Sequence, residues 1–133
     1  TAATLVPQPV LRPAAQKTEL GVIYFGSTSP SMHEALQALE ERGIHLDALR
    51  LRAFPFPQSV VQFLAQHRQV FVVEQNRDAQ LRSLVVNECG IDPVRLIPIL
   101  HYDGTPITAR FIAREIADDL EALKVTPLRK VVS

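Results

Sequence analysis

Val22-Ile23-Tyr24-Phe25-Gly26-Ser27-Thr28-Ser29-Pro30 carries the chain from a strand signal straight into a helix signal. Val22 to Phe25 are β-branched or aromatic and read as a strand. Gly26 closes it. Ser29 is the expected N-cap, and Pro30 the first helical position, where a missing N–H costs nothing. Met32, Ala35, Leu36 and Leu39 then recur at helical spacing and define one apolar face. Gly43 supplies a left-handed stop.

The same unit recurs along the chain. Apolar runs begin near 22, 46, 70 and 95, each followed by a helical pattern. Such βαβα alternation predicts a three-layer α/β/α domain with a mostly parallel sheet. The second run, Leu46 to Leu51, is broken by Asp47 and Arg50 and suits a half-exposed edge strand. Phe54-Pro55-Phe56-Pro57 cannot be helical and leads into a short helix over 58–67. The third run, Val70-Phe71-Val72-Val73, is continuously apolar, as a strand buried on both faces should be. Asp78 is placed to cap the next helix, whose face is Leu81, Leu84, Val85 and Cys89, and Gly90 ends it. The fourth run contains Pro98, which cannot donate to a ladder, so it belongs at an edge. Asp103-Gly104 signals a turn. Thr108 is expected to cap a last helix whose inward residues are Ile112, Ile116, Leu120 and Leu123.

Right-handed crossovers and two central runs give the strand order 2-1-3-4, with room for an extra antiparallel edge strand. That order puts a switch point between runs one and three, where open α/β sheets bind ligands beyond their C-terminal strand ends. Ser27, Thr28, Glu74, Gln75 and Asn76 lie at those ends and are the candidate site residues.

Length and composition bound the functions. The 133 residues fit one domain, and 47 % hydrophobic residues suffice for a core. Fourteen basic residues balance fourteen acidic ones, which argues against a general nucleic-acid binder. The balance hides an asymmetry: residues 20–124 hold 10 basic and 13 acidic side chains, and the flanks are basic. No apolar stretch is long enough for a membrane span. The single cysteine, Cys89, excludes a disulfide framework or a cysteine cluster within this chain and reads as core filler. A reducing, cytoplasmic setting follows. Residues 1–19 read as a linker or extended arm, 20–124 as the domain, and 125–133 as a tail. The chain opens with Thr1 and its one methionine is Met32, so it is expected to be processed or excised from a longer protein.

Specific chemistry is sparse. The hydroxyl-rich 26–31 loop offers free N–H groups and a helix dipole to a phosphate, or caps and turns alone. It matches neither the P-loop nor the G-x-G-x-x-G pattern. A carboxylate at Glu74 suits acid–base work, or hydrogen bonding to strand ends or a partner domain. Arg50 and Arg52 suit an anion, or ion pairs with neighbouring acids. His33, His45, His67 and His101 form no i, i+4 pair for a metal. No G-x-S-x-G elbow exists. No catalytic residue is assigned.

Four stretches carry a resemblance: Val22 to Thr28 with Glu34-Ala35-Leu36; Leu49-Arg50-Leu51-Arg52-Ala53-Phe54-Pro55-Phe56-Pro57; Val72-Val73-Glu74-Gln75-Asn76 with Gln80-Leu81; and Tyr102-Asp103-Gly104-Thr105-Pro106-Ile107-Thr108. Over residues 20–120 they resemble the C-terminal domain of the α subunit of 2-oxoacid:ferredoxin oxidoreductases, in the 2-oxoglutarate branch. That domain is similar to the C-terminal domain of transketolase. Family members often carry glycine where this chain has Ala79.

The resemblance implies an enzyme that converts a 2-oxoacid and CoA to acyl-CoA and CO2 while reducing ferredoxin. It implies thiamine diphosphate, Mg²⁺ and an iron–sulfur cluster in the whole enzyme, with no cofactor in this chain. This domain's implied role is non-catalytic assembly with the rest of the α subunit and the β subunit, with no nucleic-acid or membrane partner. Glu74-Gln75-Asn76 is the leading candidate for an inter-domain contact. A flavodoxin-like flavin- or phosphate-binding domain and a stand-alone interaction module are the competing readings.

Overall fold

In a computed structural model, residues 9–25, 28–52, 58–75, 80–101 and 107–132 are described, with the side chains of 29 and 124–132 left aside. The elements run β1 (Val10–Arg12), β2 (Leu20–Phe25), α1 (Ser29–Glu41), β3 (Asp47–Leu51), α2 (Gln58–Gln66), β4 (Gln69–Glu74), α3 (Gln80–Cys89), a 3-10 turn (Pro93–Arg95), β5 (Leu96–Leu100) and α4 (Ala109–Val132).

The sheet order is β1-β3-β2-β4-β5. Its four parallel strands are the four apolar runs in the expected order, second, first, third, fourth. Side chains alternate between two cores, as the period of two requires. Val22, Tyr24, Phe71, Val73 and Ile99 meet Met32, Leu36 and Leu39 of α1 and Ile112 and Ile116 of α4. Ile23, Leu49, Leu51, Val70 and Val72 meet Val60, Phe63 and Leu64 of α2 and Leu81 and Val85 of α3. The three-layer α/β/α architecture follows directly.

Several local expectations need correction. The second run is not an edge. Val10, Leu11 and Arg12 pair antiparallel with Arg50, Leu49 and Ala48, so β1 covers the outer side of β3. The polar interruption at Asp47 has another cause: its Oδ1 accepts the Ala14 N–H at 2.8 Å, and its Oδ2 lies 2.8 Å from His67 Nε2. Part of the stretch read as linker or arm is thus a strand, and α4 runs through the stretch read as a tail.

α1 begins one residue early, at Ser29, so Pro30 is not at a position following a serine cap. Thr28 precedes the helix with φ −93° and ψ 0°, already helical, and its side chain makes no cap bond. Ser31 anchors the first turn instead, donating to the Ile107 carbonyl at 2.9 Å. Leu84, expected on the inner face of α3, is 38 % exposed.

Other signals hold. Gly43 and Gly90 have φ of +81° and +64°. The Thr108 hydroxyl accepts the Phe111 N–H at 3.1 Å. Pro98 faces Val72 on the outermost strand, β5. Cys89 is half-buried against the α2–α3 core. Asp78, the Phe54–Pro57 loop and the Asp103-Gly104 turn lie outside the described residues. Among the described residues no helix is long and apolar enough to cross a membrane.

Candidate functional site

β2 and β4 lie side by side in parallel, and their C-terminal ends open at the switch point. A cavity of about 220 Å³ lies there, lined by Phe25, Thr28, Glu74, Gln75, Leu81 and Leu84 among others. Three of the five candidate residues, Thr28, Glu74 and Gln75, therefore meet at one place. Ser27 and Asn76 lie outside the described residues.

Glu74 is 7 % exposed at the end of β4. Its Oε1 accepts the Leu81 N–H at 2.7 Å, and its Oε2 accepts the Arg82 N–H at 3.2 Å. These donors belong to the first turn of α3, where backbone N–H groups lack helical partners and the dipole favours a negative charge. Glu74 is thus the anion that this helix start takes. The Glu74 backbone carbonyl accepts the His101 N–H at 3.0 Å, tying β4 to the segment after β5. Thr28 is buried at 4 %. The buried lining of the cavity thus sets Thr28 and Glu74 beside Val73 and Leu81, and both carboxylate oxygens of Glu74 are taken by α3.

The rim differs. Phe25 is 36 % exposed, Leu84 is 38 % exposed, and Gln75 is exposed between them in the lining. Two large apolar groups bordering one crevice form a small patch of the kind that marks contact surfaces. Sequence reasoning placed Phe25 inside a strand and Leu84 inside a helix face. It had no signal that both strand end and helix flank turn outward here.

His67 and Arg95 serve the packing of the domain. His67, one of the scattered histidines, is 3 % exposed. Its Nδ1 lies 2.6 Å from the Phe63 carbonyl and its Nε2 2.8 Å from Asp47 Oδ2. Both ring nitrogens thus have an oxygen within hydrogen-bond distance. Arg95 donates to the carbonyls of Leu64 and His67, the open C-terminal end of α2. Burial, and then Glu88, pushes the Cys89 thiol above its ordinary value, which suits a packing role and not a reactive one. Among the described residues no group of three or more His, Cys, Asp or Glu gathers to hold a metal ion.

Residues 18–100 match the family of pyruvate:ferredoxin oxidoreductase core domain II. The chain belongs to this family. A curated relative of domain II, the 2-oxoacid:ferredoxin oxidoreductase subunit alpha of Saccharolobus solfataricus, is 26 % identical over 117 residues, 86 % of this chain and 18 % of that protein. The chain thus spans under a fifth of that relative's length. Among solved structures, domain II is similar to part of the 2-oxoglutarate:ferredoxin oxidoreductase of Magnetococcus marinus, solved with 2-oxoglutarate, coenzyme A and succinyl-CoA bound. The TM-score is 0.76 at 24 % identity, over 88 % of this chain and 20 % of that one. It also resembles a split-gene transketolase, an inactive β4 tetramer, with TM-score 0.66 at 15 % identity, over 84 % of this chain and 40 % of that one. The fold is therefore transketolase-like, as the resemblance implied.

Proposed function

We propose that this domain II is a non-catalytic assembly domain of a 2-oxoacid:ferredoxin oxidoreductase, acting on 2-oxoglutarate in the cytoplasm. In that reading the whole enzyme converts the 2-oxoacid and CoA to acyl-CoA and CO2 and passes electrons to ferredoxin. Its partners are the rest of the α subunit and the β subunit. The family match and the S. solfataricus relative support the enzyme class. The M. marinus neighbour favours 2-oxoglutarate.

In this reading the thiamine diphosphate, Mg²⁺ and iron–sulfur cluster of the whole enzyme are held by its other domains and subunits; the one cysteine of this chain cannot by itself ligate a cluster. No step of the reaction is routed through this domain.

The observation that carries the assembly reading is the contrast within the crevice. Both carboxylate oxygens of Glu74 are bonded to α3, while Phe25 and Leu84 stand exposed on the rim. Exposed apolar residues beside a carboxylate that is already satisfied support a surface covered by a neighbouring domain or subunit. The test places Phe25→Asp and Leu84→Asp together in the full-length α subunit and measures co-purification with the β subunit. The reading expects loss of the complex with an unchanged circular-dichroism spectrum and melting point for the domain. Full assembly and full activity of the double variant would sink it.

A further inference from the structure

We propose that Arg12 and Arg50 form an oxyanion site on the α1 face of the β1–β3 edge, taking a carboxylate or phosphate group. The proposal rests on residues other than those of the docking surface at the ends of β2 and β4.

Register fixes the pair. In the antiparallel β1–β3 ladder Val10 is opposite Arg50 and Arg12 is opposite Ala48. Arg12 and Arg50 are thus diagonal neighbours on one face, a relation that places Cα atoms about 7–8 Å apart. In the parallel ladder Arg50 is level with Tyr24, whose ring lies in the α1–α4 core. The arginines therefore share the α1 face of the sheet. The small Ala48 sits between them in β3 register.

Both guanidinium groups are only half-buried, yet each hides a nitrogen without a partner: Nη1 of Arg12 and Nε of Arg50. A buried donor with no acceptor costs about 1–3 kcal/mol, more when charged, and two like charges on one sheet face add to the cost. Among the described residues neither arginine joins an ion pair. Two acids that lie near in the chain are committed elsewhere. Asp47, on the same strand, serves Ala14 and His67. Glu40 lies 3.3 Å from the Ala15 N–H and 3.8 Å from His45 Nδ1. Two planar donor forks on one face match the geometry of an oxyanion, which arginine holds bidentately. Arg52, exposed just beyond β3, adds positive charge at this end of the strand.

The probes are inorganic phosphate and acetate, each titrated into the full chain against chloride at constant ionic strength. The Arg50 Nε–Hε signal is followed by ¹⁵N NMR and the melting midpoint by calorimetry. The proposal expects a saturable shift of that signal with one of the two anions, and a midpoint rise of roughly 4 °C at ten times the dissociation constant. Saturation by phosphate alone assigns a phosphate ligand; saturation by acetate assigns a carboxylate. Arg12→Gln with Arg50→Gln should lose the rise, and Arg50→Lys, which keeps charge but not the fork, should weaken binding at least tenfold. A shift that tracks ionic strength without saturating, or equal binding by Arg50→Lys, overturns the site. If the double variant does not fold, the wild-type NMR titration still decides.

Discussion

Gly21 shows how one missing methyl group sets the spacing of two layers. A Cβ built on it would stand 2.9 Å from Phe63 Cζ and 3.2 Å from His67 Cγ. The α2 helix therefore rests directly on the β2 backbone. Gly21→Ala should cost about 1–3 kcal/mol, the usual penalty for overpacking a tight core; an unchanged denaturation midpoint would show that the Phe63 ring yields freely. His67 is the other fixed point. His67→Ala removes the contact with Asp47 Oδ2 and leaves that oxygen without this partner, a loss of about 1–3 kcal/mol in urea unfolding. Asp119 is a point of built-in cost. Burial first, then Glu115 and Asp118, raise its carboxyl above the ordinary value. A raised acid disfavours folding while it is ionised, so the cost is present at neutral pH and fades as pH falls through the carboxylate range. Asp119→Asn should raise the melting midpoint at pH 7 by about 1–2 °C, with the gap closing near pH 3. A gap that widens toward acid would contradict this.

At the scale of elements, legibility followed locality. The Met32, Ala35, Leu36, Leu39 face, the Gly43 stop and the Thr108 cap each depend on residues within a few positions, and each is in place. Pro98 announced an edge because its missing N–H acts locally too. What sequence could not show depends on distant partners. β1 is three residues among prolines, and only its pairing with β3 makes it a strand. The cap of α3 comes from Glu74, seven residues before Leu81, and was invisible to a search for a capping residue next to the helix. Its removal is informative: Glu74→Gln should destabilise the domain by about 1 kcal/mol and loosen amide protection at Leu81 and Arg82 first. Unchanged protection there would mean that the helix start holds itself.

Across the whole molecule, the candidate site divides by what the chain can satisfy alone. Sequence topology placed the crevice correctly, since strand order fixes where the switch point falls, and Thr28, Glu74 and Gln75 line it. It did not show that Glu74 bonds to the start of α3 while Phe25 and Leu84 stand exposed, because both depend on how α3 packs on the sheet. On the proposed assembly role, a neighbouring domain or subunit covers this crevice at the exposed Phe25 and Leu84. Hydrogen–deuterium exchange on the full-length α subunit, with and without the β subunit, compared with the isolated chain, measures that covering directly. The account predicts added protection concentrated at the end of β2, at Gln75 and along the first two turns of α3 in the assembled protein. Equal exchange in those segments in every state, with protection appearing only at other faces, would contradict it.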